Sequence, residues 1–120
     1  MSELMKQFLL RIVSAGEAAT GLVLLASPPI VVRLLLGSEI TGAGIFIGRI
    51  AGIALIALGV ACWPGGATRG LLGMTVYSVI AAGYMTGVGL MGGQTGILWW
   101  PACAAHGVLT ILLTRALFKE

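Results

Sequence analysis

The chain has 120 residues, 58% of them hydrophobic and 9% charged, with a net charge of +3 and a mean hydropathy of +1.06. A water-soluble domain is about a quarter charged, so this composition excludes an ordinary soluble domain and points to one small unit with the bilayer as its solvent. The basic excess does not indicate nucleic acid, because the cations sit mostly at segment ends and no basic run is interleaved with aromatics.

The first predicted crossing runs from Phe8 to Ala26 and stops at Ser27–Pro28–Pro29, since adjacent prolines cannot continue a helix. Glu17 interrupts its apolar run, which is unlike the short unbroken core of a signal peptide, so the segment is read as retained. Residues 30–37, IVVRLLLG, are too few to span a bilayer that needs about 20 residues. They predict a short helix lying at the membrane surface, with Arg33 reaching toward headgroups. The second crossing runs from Gly44 to Trp63 and ends at Pro64–Gly65–Gly66. The third runs from Leu71 to Met91, followed by the uncharged turn GGQTG. The fourth runs from Ile97 to Phe118, with Pro101 in its first turns, where a missing N–H costs least.

The predicted architecture is therefore all-α: one transmembrane domain over residues 1–120, an integral membrane four-helix bundle with a short interfacial helix between the first two crossings. Four crossings put Lys6, Arg11, Arg69, Arg115 and Lys119 on one side. The positive-inside rule then predicts both termini in the cytoplasm of a bacterial inner membrane, with Trp63 near the inner interface and Trp99 and Trp100 at the outer one. Cys62 and Cys103 would lie toward opposite faces, too far apart for a disulfide. No Cys/His cluster suggests a metal.

Nineteen glycines would weaken helices in water, but in lipid they let backbones approach. Gly44, Gly48 and Gly52 recur every four residues, Gly83 and Gly87 do likewise, and Ala15 and Ala19 lie beside Gly16 and Thr20. These small-xxx-small faces predict packing within the bundle, and they also suit a homo-oligomer or docking on other membrane subunits.

Glu17 falls near the middle of its crossing, where an unpaired charge is costly. Each of the other crossings also offers polar groups toward its middle: Arg49 on the second, Tyr77 and Tyr84 on the third, His106 on the fourth. They predict one buried cluster of Glu17, Arg49 and His106 with one or both of Tyr77 and Tyr84. Two readings stand. Glu17 and Arg49 can be a buried pair that sets helix register, or the cluster can bind a polar headgroup or pass protons, with His106 as the group that titrates near neutrality. Enzyme chemistry lacks support: no GxSxG elbow, HExxH or phosphate loop is present. Met74, Met85 and Met91 are read as packing rather than copper ligands.

Three blocks, RIVSAGEAATGLVLLASP, GRIAGIALIALGVACWPG and WWPACAAHGVLTILLTRAL, together resemble small bacterial four-helix membrane proteins of the DoxX-like kind and related families. Some DoxX relatives are subunits linked to quinone-coupled sulfur oxidation. The resemblance implies a small integral subunit near quinones and carries over no catalytic residue. Three functions are thus expected in order: a non-catalytic accessory subunit packing through its glycine faces, a small proton-coupled carrier using the Glu/Arg/His cluster, and a quinone-associated redox subunit. No cofactor is required by the residues, with a quinone or lipid as the ligand such a cluster would suit.

Overall fold

The computed structural model describes residues 2–65 and 68–119; Gly66, the last residue of the predicted PGG stop, lies outside them. Those residues form five helices: α1 (Glu3–Ala26), α2 (Pro28–Leu36), α3 (Ala43–Ala61), α4 (Thr68–Leu90) and α5 (Trp99–Phe118). No strand occurs among the described residues. α1, α3, α4 and α5 are each long and apolar enough to cross a membrane, as expected of a membrane protein.

Several boundaries differ from the sequence expectation, and a local cause is visible at Ser2, at the proline pair and at Gly37. α1 starts at Glu3, five residues early, because the Ser2 hydroxyl accepts from the Met5 N–H at 3.2 Å and caps the helix in the polar leader. The proline pair ends α1 but also opens α2, occupying its first two positions, where proline lacks only an N–H that has no helical partner. Gly37, at φ +67°, stops α2 in the left-handed conformation that glycine adopts without a Cβ clash. Trp63 and Met91 fall just past the ends of α3 and α4, and Ile97 falls before α5.

The four long helices do not form one evenly packed bundle. They form two close antiparallel pairs, α1 with α3 and α4 with α5. The α1–α3 seam runs through small residues. A Cβ built on Gly59 would meet the Ser14 carbonyl oxygen at 2.5 Å, and one on Gly52 would meet the Gly21 oxygen and the Leu25 nitrogen at 2.7 Å. Gly21 faces the Gly52 oxygen in return, and Gly48 packs on Pro28. Such an approach of backbones is how helices associate in lipid, where apolar burial gives no drive. A Cβ built on Gly44 would meet Ile40 in the loop before α3, and nothing lies within 4 Å of Cβ positions built on Gly83 and Gly87. Of the predicted packing glycines, then, Gly48 and Gly52 lie in contact with α2 and α1, and the other three lie in no helix seam. On α1, Ala15, Gly16, Ala19 and Thr20 are exposed. The packed stripe is Ser14, Ala18 and Gly21, rotated by about one residue.

The two pairs meet through an apolar cluster near the start of α1: Leu10 and Val13 against Cys62, Leu71, Met74, Leu113 and Ala116. At the other end of the molecule they are joined by hydrogen bonds between α2 and the segment before α5. The carbonyls of Leu35 and Leu34 accept from the Gly96 and Leu98 N–H groups at 2.6 and 2.9 Å. The Ser38 hydroxyl donates to Gln94 Oε1 at 2.6 Å.

Candidate functional site

Between that apolar cluster and the α2 end lies a layer of polar side chains. Glu17 is 8% exposed, on the α1 stripe that also carries Leu10, Val13, Ser14 and Gly21. Its residue spacing of three and four turns one face of α1 inward. The Tyr77 hydroxyl from α4 faces the Glu17 carboxyl closely enough to interact with it. The Tyr77 ring meets the His106 ring of α5 edge to face, with centroids 5.7 Å apart and planes at 75°. Edge-to-face contact of this kind is the favoured geometry between aromatic rings. Three helices, belonging to both pairs, thus each contribute one member.

Arg49 is not among them. It is exposed on the outer side of α3, because Gly48 and Gly52 turn the neighbouring face of that helix toward α2 and α1. The ion pairs among the described residues are Lys6–Glu3 at 3.1 Å and Arg33–Glu39 at 2.9 Å; Glu17 belongs to neither. Tyr84, seven residues after Tyr77, is 71% exposed. Seven residues make nearly two turns, and an ideal helix drifts about 20° over that span, so spacing alone did not fix the environment. What separates the tyrosines is burial: Tyr77 is half-buried against His106, and Tyr84 stands out from α4.

The predicted interface anchors also divide. Arg33 is exposed and paired with Glu39, whose hydrogen bond and negative charge push the guanidinium further toward its charged form. Trp63 and Trp100 are largely exposed. Trp99 is 5% exposed, and its indole N–H donates to the Met85 carbonyl at 3.1 Å, so it packs inside the α4–α5 pair instead of facing an interface. Cys62 and Cys103 are free and buried; the Cys103 sulfur lies 3.2 Å from the Thr86 hydroxyl.

Two serines that the sequence places near these polar groups, but outside the predicted cluster, also belong to this layer. Ser14, one turn before Glu17, is 1% exposed, and Ser78, next to Tyr77, is 0% exposed. Ser14 Oγ, Ser78 Oγ and His106 Nδ1 are buried without a hydrogen-bond partner. Their neighbours Thr75 and Thr110 satisfy themselves, donating to the Leu71 and His106 carbonyls one turn back, each at 2.7 Å. An unpaired buried polar group costs about 1–3 kcal/mol, so three of them in one layer form a concentration of unmet polarity that packing alone does not account for. Their proximity was legible, since Ser14 and Ser78 lie one turn or less from Glu17 and Tyr77, but their lack of a partner was not, because helical serines commonly bond their own backbone.

Among the described residues no three His, Cys, Asp or Glu side chains converge as a metal site. The layer holds instead one carboxyl, one phenol, one imidazole and two hydroxyls, a set able to pass a proton or bind a small protic group.

No family model, curated protein or solved structure matches this chain.

Proposed function

We propose that this chain is a small proton-handling protein of the bacterial inner membrane, a proton-coupled carrier whose working site is the Glu17–Tyr77–His106 layer. The observation that carries the reading is a carboxyl buried midway along a membrane-length helix with no cationic partner among the described residues. With Arg49 on the outside, a register-fixing ion pair no longer accounts for Glu17. An ionisable residue kept at such depth is a functional group by default. Glu17 takes up and releases the proton, the Tyr77 hydroxyl is the protic group nearest to it, and His106, whose ring meets the Tyr77 ring, offers an unpartnered nitrogen that water can link to them. Both termini face the cytoplasm in this reading, since Lys6, Arg11, Arg69, Arg115 and Lys119 cluster at one end of the helices. Four helices enclose little volume, so the carrier works as an oligomer.

Infrared difference spectroscopy on the protein in lipid tests this. A protonated-carboxyl band that comes and goes with pH is expected in the wild type and absent in Glu17→Gln. A spectrum in which no carboxyl band depends on Glu17 overturns the reading. An accessory subunit is the second reading, favoured by the open face of α4 around Gly83, Tyr84 and Gly87. Stable co-purification of an unrelated membrane protein at fixed ratio, lost in Gly87→Leu, would support it.

A further inference from the structure

The polar layer is closed on its two sides by unlike contacts. Toward the start of α1 the pairs are sealed by the apolar cluster, in which Met74, Leu113 and Ala116 are fully buried. Toward α2 no such buried apolar cluster joins the pairs among the described residues. The residues buried there serve contacts inside one pair or its own flank: Gly21 with Gly52, Pro28 with Gly48, Trp99 with Met85 and Cys103 with Thr86. What joins one pair to the other at that end is a strap of three hydrogen bonds, Gly96 to Leu35, Leu98 to Leu34 and Ser38 to Gln94. Glycine at 96 is required for it, because a Cβ there would collide with the Leu34 carbonyl oxygen.

We propose that the two helix pairs part at the α2 end, hinging on the apolar cluster, and so admit water to Glu17, Ser14, Ser78 and His106. The structure described here is then the occluded form of the site. Two independent observations converge on this. Ser14 Oγ, Ser78 Oγ and His106 Nδ1 are left without partners in the closed form, and water entering the seam would supply partners to all three. The strap is made of polar contacts at a helix end, which water can replace at little cost, whereas opening the other end would unpack a close-fitted cluster. Local opening is drawn from the weakest-packed part of a fold, and here that part lies beside the polar layer. The titratable and charged groups facing the layer from the helices around it are Glu17, Tyr77 and His106 alone among the described residues, so the opening need not separate any ion pair.

This inference gives the proposed carrier its route of access, and it is tested separately from proton handling. Cys62 and Cys103 are replaced by Ala, and Ser78→Cys serves as a nearly isosteric reporter, with Ser14→Cys as a second should the first misfold. A membrane-impermeant maleimide is added to vesicles holding the protein, and modification at the reporter is read by peptide mass. Modification is expected at both reporters and not at Met74→Cys in the apolar cluster. A disulfide between Ser38→Cys and Gln94→Cys, whose parent side chains already touch, is expected to slow reporter modification by about tenfold or more, as for an amide or thiol exposed only by local opening. Reporter modification unaffected by that staple overturns the proposal, as does modification at Met74→Cys matching that at the serine sites. Absence of any reporter modification beside a Glu17-dependent infrared band overturns the opening and leaves proton handling standing. Staple-sensitive modification without that band does the reverse.

Discussion

Glu17 and Arg49 show how residue type and residue environment separate. Both are charges within membrane-length helices, and pairing them was the natural expectation. Glu17 is buried while Arg49 lies on the outer side of α3, six residues from its start. At about 1.5 Å per residue that is roughly 9 Å from the helix end, and helical side chains lean toward the N-terminus, so the guanidinium points toward the nearer interface. Breaking a buried ion pair costs about 3–5 kcal/mol, whereas exposed substitutions stay within about 0.5 kcal/mol. Arg49→Gln is therefore expected to leave the thermal unfolding midpoint in detergent nearly unchanged. A large drop would return Arg49 to the cluster. The polar character of Glu17, Tyr77 and His106 was legible as residue type; which of the candidate polar residues met was not, because that depends on the rotation of each helix about its axis.

At the scale of the elements, helix existence was legible and helix faces were not. Twenty-residue apolar runs and proline–glycine punctuation mark the long helices, and the ends moved by a few residues, with a local cause visible at the Ser2 cap and at the paired proline. Glycine spacing was a poorer guide. Every four-residue repeat in a helix makes a small-residue stripe, and nothing in the stripe says whether a neighbour comes to it. Gly52 has one and Gly87 does not. Overpacking a close seam costs about 1–3 kcal/mol, so Gly52→Ala is expected to lower stability by about that much. Gly87→Ala should be neutral or slightly stabilising, glycine being the weaker helix former. Unfolding curves of the two variants, taken side by side, check this. Equal losses would mean that α4 also packs closely on a partner.

For the whole molecule the main feature is unequal joining. Each pair is closely packed, and the pairs share one apolar cluster, one polar layer and one strap. Leu113 is fully buried in the cluster and Ile111, two residues earlier, is 60% exposed. Large-to-small changes in a filled site cost about 2–5 kcal/mol through the cavity left behind, so Leu113→Ala should loosen the pairs while Ile111→Ala should not. Hydrogen–deuterium exchange of α4 amides reads the difference. Uniform protection in both variants would place the joint elsewhere.

By itself the amino-acid sequence determined the number of helices long and apolar enough to cross a membrane, the short helix at the proline pair and the presence of ionisable groups far from helix ends. These follow from composition, run length and punctuation, which act along the chain. Only the tertiary structure decided that α1 takes α3 and α4 takes α5, that Tyr77 turns in and Tyr84 out, that Trp99 is buried and that Ser14 and Ser78 lie unpartnered beside Glu17. The reason is physical: an apolar helix in lipid has no hydrophobic face to select its orientation, so rotation and partner are set by close steric fit between small residues on different helices, which one-dimensional spacing does not encode.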